Sequence, residues 1–240
     1  MKTKQTLIAL AVSTLVAAPA FAEDCYYCDA ATASVEDMQI GMGNNVYNEG
    51  VLNSASVNNK VLQNAKGNIG LNVAAGSNNQ QANAAALADA QFSFGGAAAS
   101  IGAVQESVYN TTVNGWDWWY WYYGTTNTAS MNDRALQNVS GNVGVNIAAG
   151  DGNQQKNDLA IANASGWWWD GYYYYGGSAD ASTGAFQGTF GNSTYNYDTY
   201  NIASMNNCAM QNASGNIGVN IAAGSGNQQF NGLSLATAQY

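Results

Sequence analysis

Cys25 and Cys28, in the tetrad CYYC, are the pair whose spacing most directly suggests chemistry. Three outcomes fit that spacing: a local disulfide, half of a metal site, or two free thiols in an N-terminal tail. The metal outcome lacks ligands, because the chain has no histidine and no second C-x-x-C. Cys208 stands alone where the equivalent repeat positions carry Lys60 and Arg134, and reads as a small tolerated side chain or an intermolecular link. The 15 acidic residues are scattered, and no glycine-rich phosphate loop is present. Without a convergent acid-base set, no catalytic residue, cofactor or metal is assigned, and an enzyme is excluded. What the chain offers instead is the hydrogen-bonding capacity of 32 Asn and 15 Gln carboxamides.

Those amides recur. Three gap-free units of 36 residues, 53–88, 127–162 and 201–236, lie 74 residues apart with 18 columns identical in all three. In the phrase GNIGLNVAAG the side chains of Ile69, Leu71 and Val73 fall on one face and Asn68 and Asn72 on the other, which is the period of a strand. Gly76-Ser77-Asn78 signals a turn, after which Gln80, Gln81 and Asn83 resume an extended run. Val61–Asn64 is expected to form a further short strand. A single unit has too few large apolar side chains for its own core, so the units must stack. Stacking in register joins Ile69, Leu71 and Val73 to Val143, Val145 and Ile147 and to Ile217, Val219 and Ile221 in one apolar core. It also brings identical amides about 4.7–4.8 Å apart, where each can donate to one neighbour and accept from the other. The predicted ladders are Asn64, Asn138, Asn212; Asn68, Asn142, Asn216; Asn72, Asn146, Asn220; Gln80, Gln154, Gln228; Gln81, Gln155, Gln229; and Asn83, Asn157, Asn231. An interior amide left unpaired would cost about 1–3 kcal/mol.

Around the units the organisation is as follows. Residues 1–22 read as an export signal: Lys2 and Lys4 precede an apolar run and then Ala20-Phe21-Ala22, a small-x-small cleavage pattern. An N-terminal segment, 23–52, precedes the first repeat, spacers occupy 89–126 and 163–200, and 237–240 form a tail. Without the signal, four Lys/Arg face 15 Asp/Glu, a net charge of −11 that disfavours nucleic acid and anionic membranes as partners. The only proline, Pro19, lies in the signal, and Asn/Gln-rich, proline-free, weakly charged sequence favours cross-β association. The echo of Gln39, Asn44, Tyr47 and Asn48 in Gln187, Asn192, Tyr195 and Asn196, with a partial copy at Gln105 and Asn110, predicts one more strand per layer. The fold expected is all-β: three stacked cross-β, β-solenoid-like layers joined by long, irregular, aromatic-rich loops.

A stack of equivalent layers ends in unpaired backbone groups and unpaired amides, which are templates for another molecule. Solenoids usually cap such ends with charged or atypical segments, yet residues 199–240 contain no charged side chain. The units, with their N-A-S-x-N opening, G-N-[IV]-G-[VL]-N-[IV]-A-A-G centre and N-Q-Q-x-N close, resemble the repeats of the Fap-type functional amyloids, biofilm fibre subunits of Gram-negative bacteria. That resemblance implies a secreted monomer that polymerises into extracellular fibres of the biofilm matrix by stacking its repeats. It also implies passage through the periplasm and an outer-membrane secretion pore, with a chaperone and a major or minor co-subunit as partners. The family's C-x-C pair near the C-terminus is absent and CYYC stands at the other end, which leaves open whether the chain is a major or a nucleating subunit.

The spacers carry GWDWWYWYYG (115–124) and GWWWDGYYYYGG (166–177), which hold all seven tryptophans: Trp116, Trp118, Trp119, Trp121, Trp167, Trp168 and Trp169. Packing over sheet edges and surface contact, including ring stacking on matrix polysaccharide, both fit these clusters. The alternative function is a monomeric secreted β-solenoid adhesin or carbohydrate-binding module that displays them.

Overall fold

The computed structural model describes residues 31–91, 96–114, 124–165, 167–169, 174–176 and 178–239. Cys25 and Cys28, and Trp116, Trp118, Trp119 and Trp121, lie outside the described residues. The rest forms three rungs. The first comprises β1 (Ala31–Met42), β2 (Asn45–Asn48), β3 (Leu52–Val57), β4 (Lys66–Ala75) and β5 (Gln80–Gln91). The second comprises β6 (Ala97–Val108), β7 (Thr111–Asn114), β8 (Thr125–Met131), β9 (Ser140–Ala149) and β10 (Gln154–Ser165). A short antiparallel hairpin, β11 (Trp167–Trp169) with β12 (Tyr174–Gly176), precedes the third, made of β13 (Ala179–Phe190), β14 (Ser193–Asn196), β15 (Thr199–Met205), β16 (Ser214–Ala223) and β17 (Gln228–Gln239).

Each strand pairs in parallel with its counterpart one rung away, giving five three-stranded sheets with the second rung central in every one. The register brings like residues together: Asn68, Asn142 and Asn216 align, as do Gln80, Gln154 and Gln228. The first layer thus reaches from β1 to β5 and contains two strands ahead of the repeat, not one. Their offset to the second rung is 66 residues, whereas the repeats are 74 apart, and their offset from second to third rung is 82. The eight-residue differences fall between β7 and β8 and between β10 and β13, where the two aromatic-rich segments lie.

Within a rung the chain folds on itself so that β5 lies between β1 and β4, with β3 on the outer side of β4. Alternation decides which face meets which. Ile69, Leu71, Val73 and Ala75 point at Ala55 and Val57, and with their counterparts form one apolar column running through all rungs. Ala84, Ala86, Ala88 and Ala90 meet Ala31, Ala33 and Val35 in a second, alanine-rich column whose small side chains allow close sheet packing. Between β4 and β5 the contact is polar: Gln81 donates to the Val73 carbonyl at 3.1 Å, and the Asn72 and Asn83 carboxamides stand 2.7 Å apart.

Residues 58–65 form a turn rather than the expected strand. Lys60, Leu62 and Asn64 adopt left-handed backbone angles of +62°, +61° and +61°, and Asn138 and Asn212 repeat that angle at +57° and +56°. A bend closing β3 onto β4 within eight residues needs such conformers, and asparagine accepts them more readily than most residues. The local apolar pattern of Val61 and Leu62 does not reveal this, since Leu62 is partly buried from the turn as it would be from a strand, while Val61 faces solvent.

Two glycine columns are fixed by close approach. A side chain at Gly76 or Gly150, both left-handed, would run into the backbone of the glycine one rung away. On the corresponding β9–β10 interface, a Cβ at Gly144 would stand 2.5 Å from Asn83 Oδ1 and 3.1 Å from Asn157 Cβ. Gly144→Ala is therefore expected to destabilise the fold by about 1–3 kcal/mol, through overpacking against locked asparagines. Gly184→Ala, where a Cβ meets nothing within 4 Å, should stay within about 0.5 kcal/mol of the parent, and chemical denaturation of the two variants checks the contrast.

Candidate functional site: amide ladders and two open rung faces

Each of the six amide columns singled out in the sequence occupies one line through the three rungs. Asn142 donates to Asn68 at 2.6 Å and receives from Asn216 at 2.8 Å; Asn146 does the same with Asn72 and Asn220 at 2.9 and 3.0 Å. The Asn64, Asn138, Asn212 line has spacings of 3.1 and 3.0 Å, and the Gln80, Gln154, Gln228 line 3.1 and 2.9 Å. Gln81, Gln155 and Gln229 are linked at 2.7 Å each, and Asn83, Asn157 and Asn231 at 2.9 Å each. The apolar columns of Val143, Val145 and Ile147 are fully enclosed, while their counterparts above and below are only partly buried.

Five further columns continue the pattern. Asn53, Asn127, Asn201; Gln63, Gln137, Gln211; and Asn79, Asn153, Asn227 are invariant at the repeat spacing, so their identity alone carried the signal. Gln39, Gln105, Gln187 and Asn48, Asn114, Asn196 sit at the other offsets, so the 74-residue period does not display them. The partial echo at Gln105 extends further than its spacing shows, with Asn110 and Asn114 matching Asn44 and Asn48, although Val113 stands where the other rungs carry Tyr47 and Tyr195.

Donor direction is uniform along each column. In those of Gln39, Asn64, Asn68, Asn72, Asn79 and Gln80, the third rung donates to the second and the second to the first. In those of Asn48, Asn53, Gln63 and Gln81 the direction is reversed throughout. Each of these ten columns thus ends in an N–H at one face of the molecule and in a carbonyl oxygen at the other. The faces themselves are bare: Met131 of the second rung is 0% exposed, whereas Met205, the same position in the third, is 50% exposed.

The second rung also holds buried charge. Asp151 Oδ1 accepts from the Ser77 backbone N–H and Oδ2 from Asn48 Nδ2, each at 2.7 Å, tying the turn of one rung to the next. Lys156, wholly buried, sits 3.2 Å from Asp158 and 3.4 Å from Asp37 of the first rung. Burial raises Asp158 to about 6 against the pull of Lys156, and raises Asp151 and Glu106 as well. Among the described residues no group of three or more Cys, Asp or Glu is arranged to hold a metal ion. Cys208 is exposed as a free thiol, and Trp167–Trp169 form the first strand of the hairpin.

Such an arrangement defines a parallel, in-register β-solenoid with two faces that no described residue covers. A profile of the functional amyloid protein FapB/FapC family matches residues 32–238, and the chain belongs to that family. It is 48% identical over 169 residues to functional amyloid subunit FapC of Pseudomonas aeruginosa. That alignment takes in 70% of this chain and 45% of the relative, so the chain spans under half the length of the curated protein it matches. No solved structure matches it.

Two outcomes follow from the site. Asn146→Ala removes a fully buried carboxamide bonded to Asn72, to the Ala82 carbonyl and to Asn220, and should cost about 2–4 kcal/mol in chemical denaturation, against under about 1 kcal/mol for the more exposed Asn142→Ala. Because the folded protein holds the Asp158 proton more tightly than the unfolded chain, stability is greatest below about pH 4 and falls as pH rises toward 6, then levels off. The loss from this carboxyl is on the order of 3 kcal/mol. Denaturation midpoints of the parent and of Asp158→Asn across that range measure it, the variant showing the weaker pH dependence.

Proposed function

We propose that this chain is a secreted subunit that assembles into extracellular fibres by seating the first rung of one copy on the third rung of the next. One observation carries the reading: the amide columns end in N–H groups on one face and carbonyl oxygens on the other, column for column. Translating a copy along the stacking axis joins donors to acceptors in all of them, and the bared strands continue their parallel ladders. Turning one copy over would run its strands antiparallel to those they meet and take the columns out of line. The contact is therefore head to tail, and a head-to-tail contact without closing rotation grows without limit. The exposed methionine and leucine positions of the third rung would be covered as their second-rung counterparts are, a gain of about 25 cal/mol for each Å² of apolar surface removed from water. Family membership supports the same reading, and an export signal at residues 1–22 fits a fibre outside the cell, in the biofilm matrix. A second subunit, a chaperone and an outer-membrane secretion pore belong to this reading as partners, and matrix polysaccharide as a contact of the aromatic segments.

The mature chain is expected to assemble after a lag that preformed fibres abolish, and the fibres to give a reflection near 4.7–4.8 Å. Gln154→Leu, which breaks a buried link to Gln80 and Gln228, should slow seeded elongation several-fold. Single particles that persist at high concentration would overturn the assembly reading in favour of a monomeric adhesin.

A further inference from the structure

Assembly by stacking raises a problem of order. Half the columns of the three repeats are identical, so the end of a fibre could accept the second or third rung of an incoming chain almost as well as the first. The buried ions break this equivalence. Lys156 and Asp158 both lie in β10, and the rungs on either side carry Ala82 and Ala84 or Phe230 and Gly232 at those positions. Asp37, which completes the cluster, lies in β1, where the second and third rungs carry Ala103 and Ala185. The cluster therefore spans two rungs, and it is whole only when a first rung lies beneath a second rung with uncharged residues at these positions in the rung above.

On the reading that the chain assembles, we propose that Lys156, Asp158 and Asp37 act as a register key that excludes misplaced junctions made through a second rung and so favours the junction of third rung to first. The alternatives each disturb a buried charge. A second rung seated on a third would find Ala185 in place of Asp37, and Lys156 would lose one of its two carboxylates. A second rung seated on a second would stack Lys156 on Lys156 and Asp158 on Asp158 at the rung spacing of about 4.8 Å. A first rung seated on an exposed second would place another Asp37 beside a single ammonium, setting three carboxylates around one Lys156. Buried like charges and unpaired ions are among the costliest contacts in a protein interior, and registry is the best attested use of buried polar groups. The junction of third rung to first escapes all of this, because it brings no charge of the cluster onto another.

Spin labelling at Cys208 tests the key. In the second rung the same column carries Arg134, which is exposed although that rung is enclosed above and below, so the column faces solvent along the whole stack. In a Cys25→Ser, Cys28→Ser background, a nitroxide on Cys208 marks one rung in three. Parent fibres should show label separations of about 14 Å and its multiples, with no exchange narrowing. Fibres of the Lys156→Ala, Asp158→Ala, Asp37→Ala variant are expected to form at least as fast and to show an exchange-narrowed component from labels about 5 Å apart, where chains stack each rung on its own kind, second on second and therefore third on third. Should that set not form fibres, Lys156→Gln, Asp158→Asn, Asp37→Asn is read in the same way. The proposal is overturned if the neutral fibres keep the parent spectrum, or if neither neutral set assembles, which would make the cluster a requirement for the fold rather than for order. Those results leave the assembly reading standing; absence of fibres from the parent chain would end both.

Discussion

Parallel pairing in register is the constraint from which the remaining features follow. Once a strand lies beside its own counterpart, every side chain meets the equivalent side chain about 4.8 Å away, and the sequence is tested column by column. Amides pass because they donate and accept along the same line; alanine, valine and isoleucine pass because they pack on themselves. Charges do not, which is why so few interior positions carry them and why no buried charge repeats from rung to rung. Glycine is demanded wherever backbones of adjacent rungs or facing strands approach too closely for a Cβ, as at Gly76 and Gly144.

Much of this was legible in the chain itself. The 74-residue repeat, its period-two apolar face and its invariant amides define three layers before any coordinates, because the same columns must satisfy hydrogen bonds and packing together. What stayed hidden did so for physical reasons. β1, β2 and their counterparts lie at offsets of 66 and 82, since the segments between β7 and β8 and between β10 and β13 lengthen the chain without moving the strands. The turn at residues 58–65 depends on left-handed angles at Lys60 and Leu62, residues that carry no turn signal of their own. The pairing of Lys156 with Asp37 joins positions 119 residues apart, on different rungs and different sheets, and no periodicity connects them.

The second rung differs from its neighbours in more than position. It holds Asp151, Lys156, Asp158 and Glu106, all nearly inaccessible to solvent, and it is the rung that both neighbours cover. Placing these groups there leaves Asp37 as the member of the Lys156 cluster that lies on an outer rung. The middle of the molecule carries most of the buried ionic groups, and the ends carry mainly amide columns and apolar side chains.

The corner between Asn114 and Thr125 has a consequence of its own. Eight additional residues enter there, yet β7 and β8 keep the same alignment with the strands above and below as if nothing had been inserted. Chain length at that corner is thus decoupled from the lattice of columns, so the site tolerates cargo. A peptide of unrelated composition grafted at this place would be displayed at regular intervals along an array, without any rung having to accommodate it.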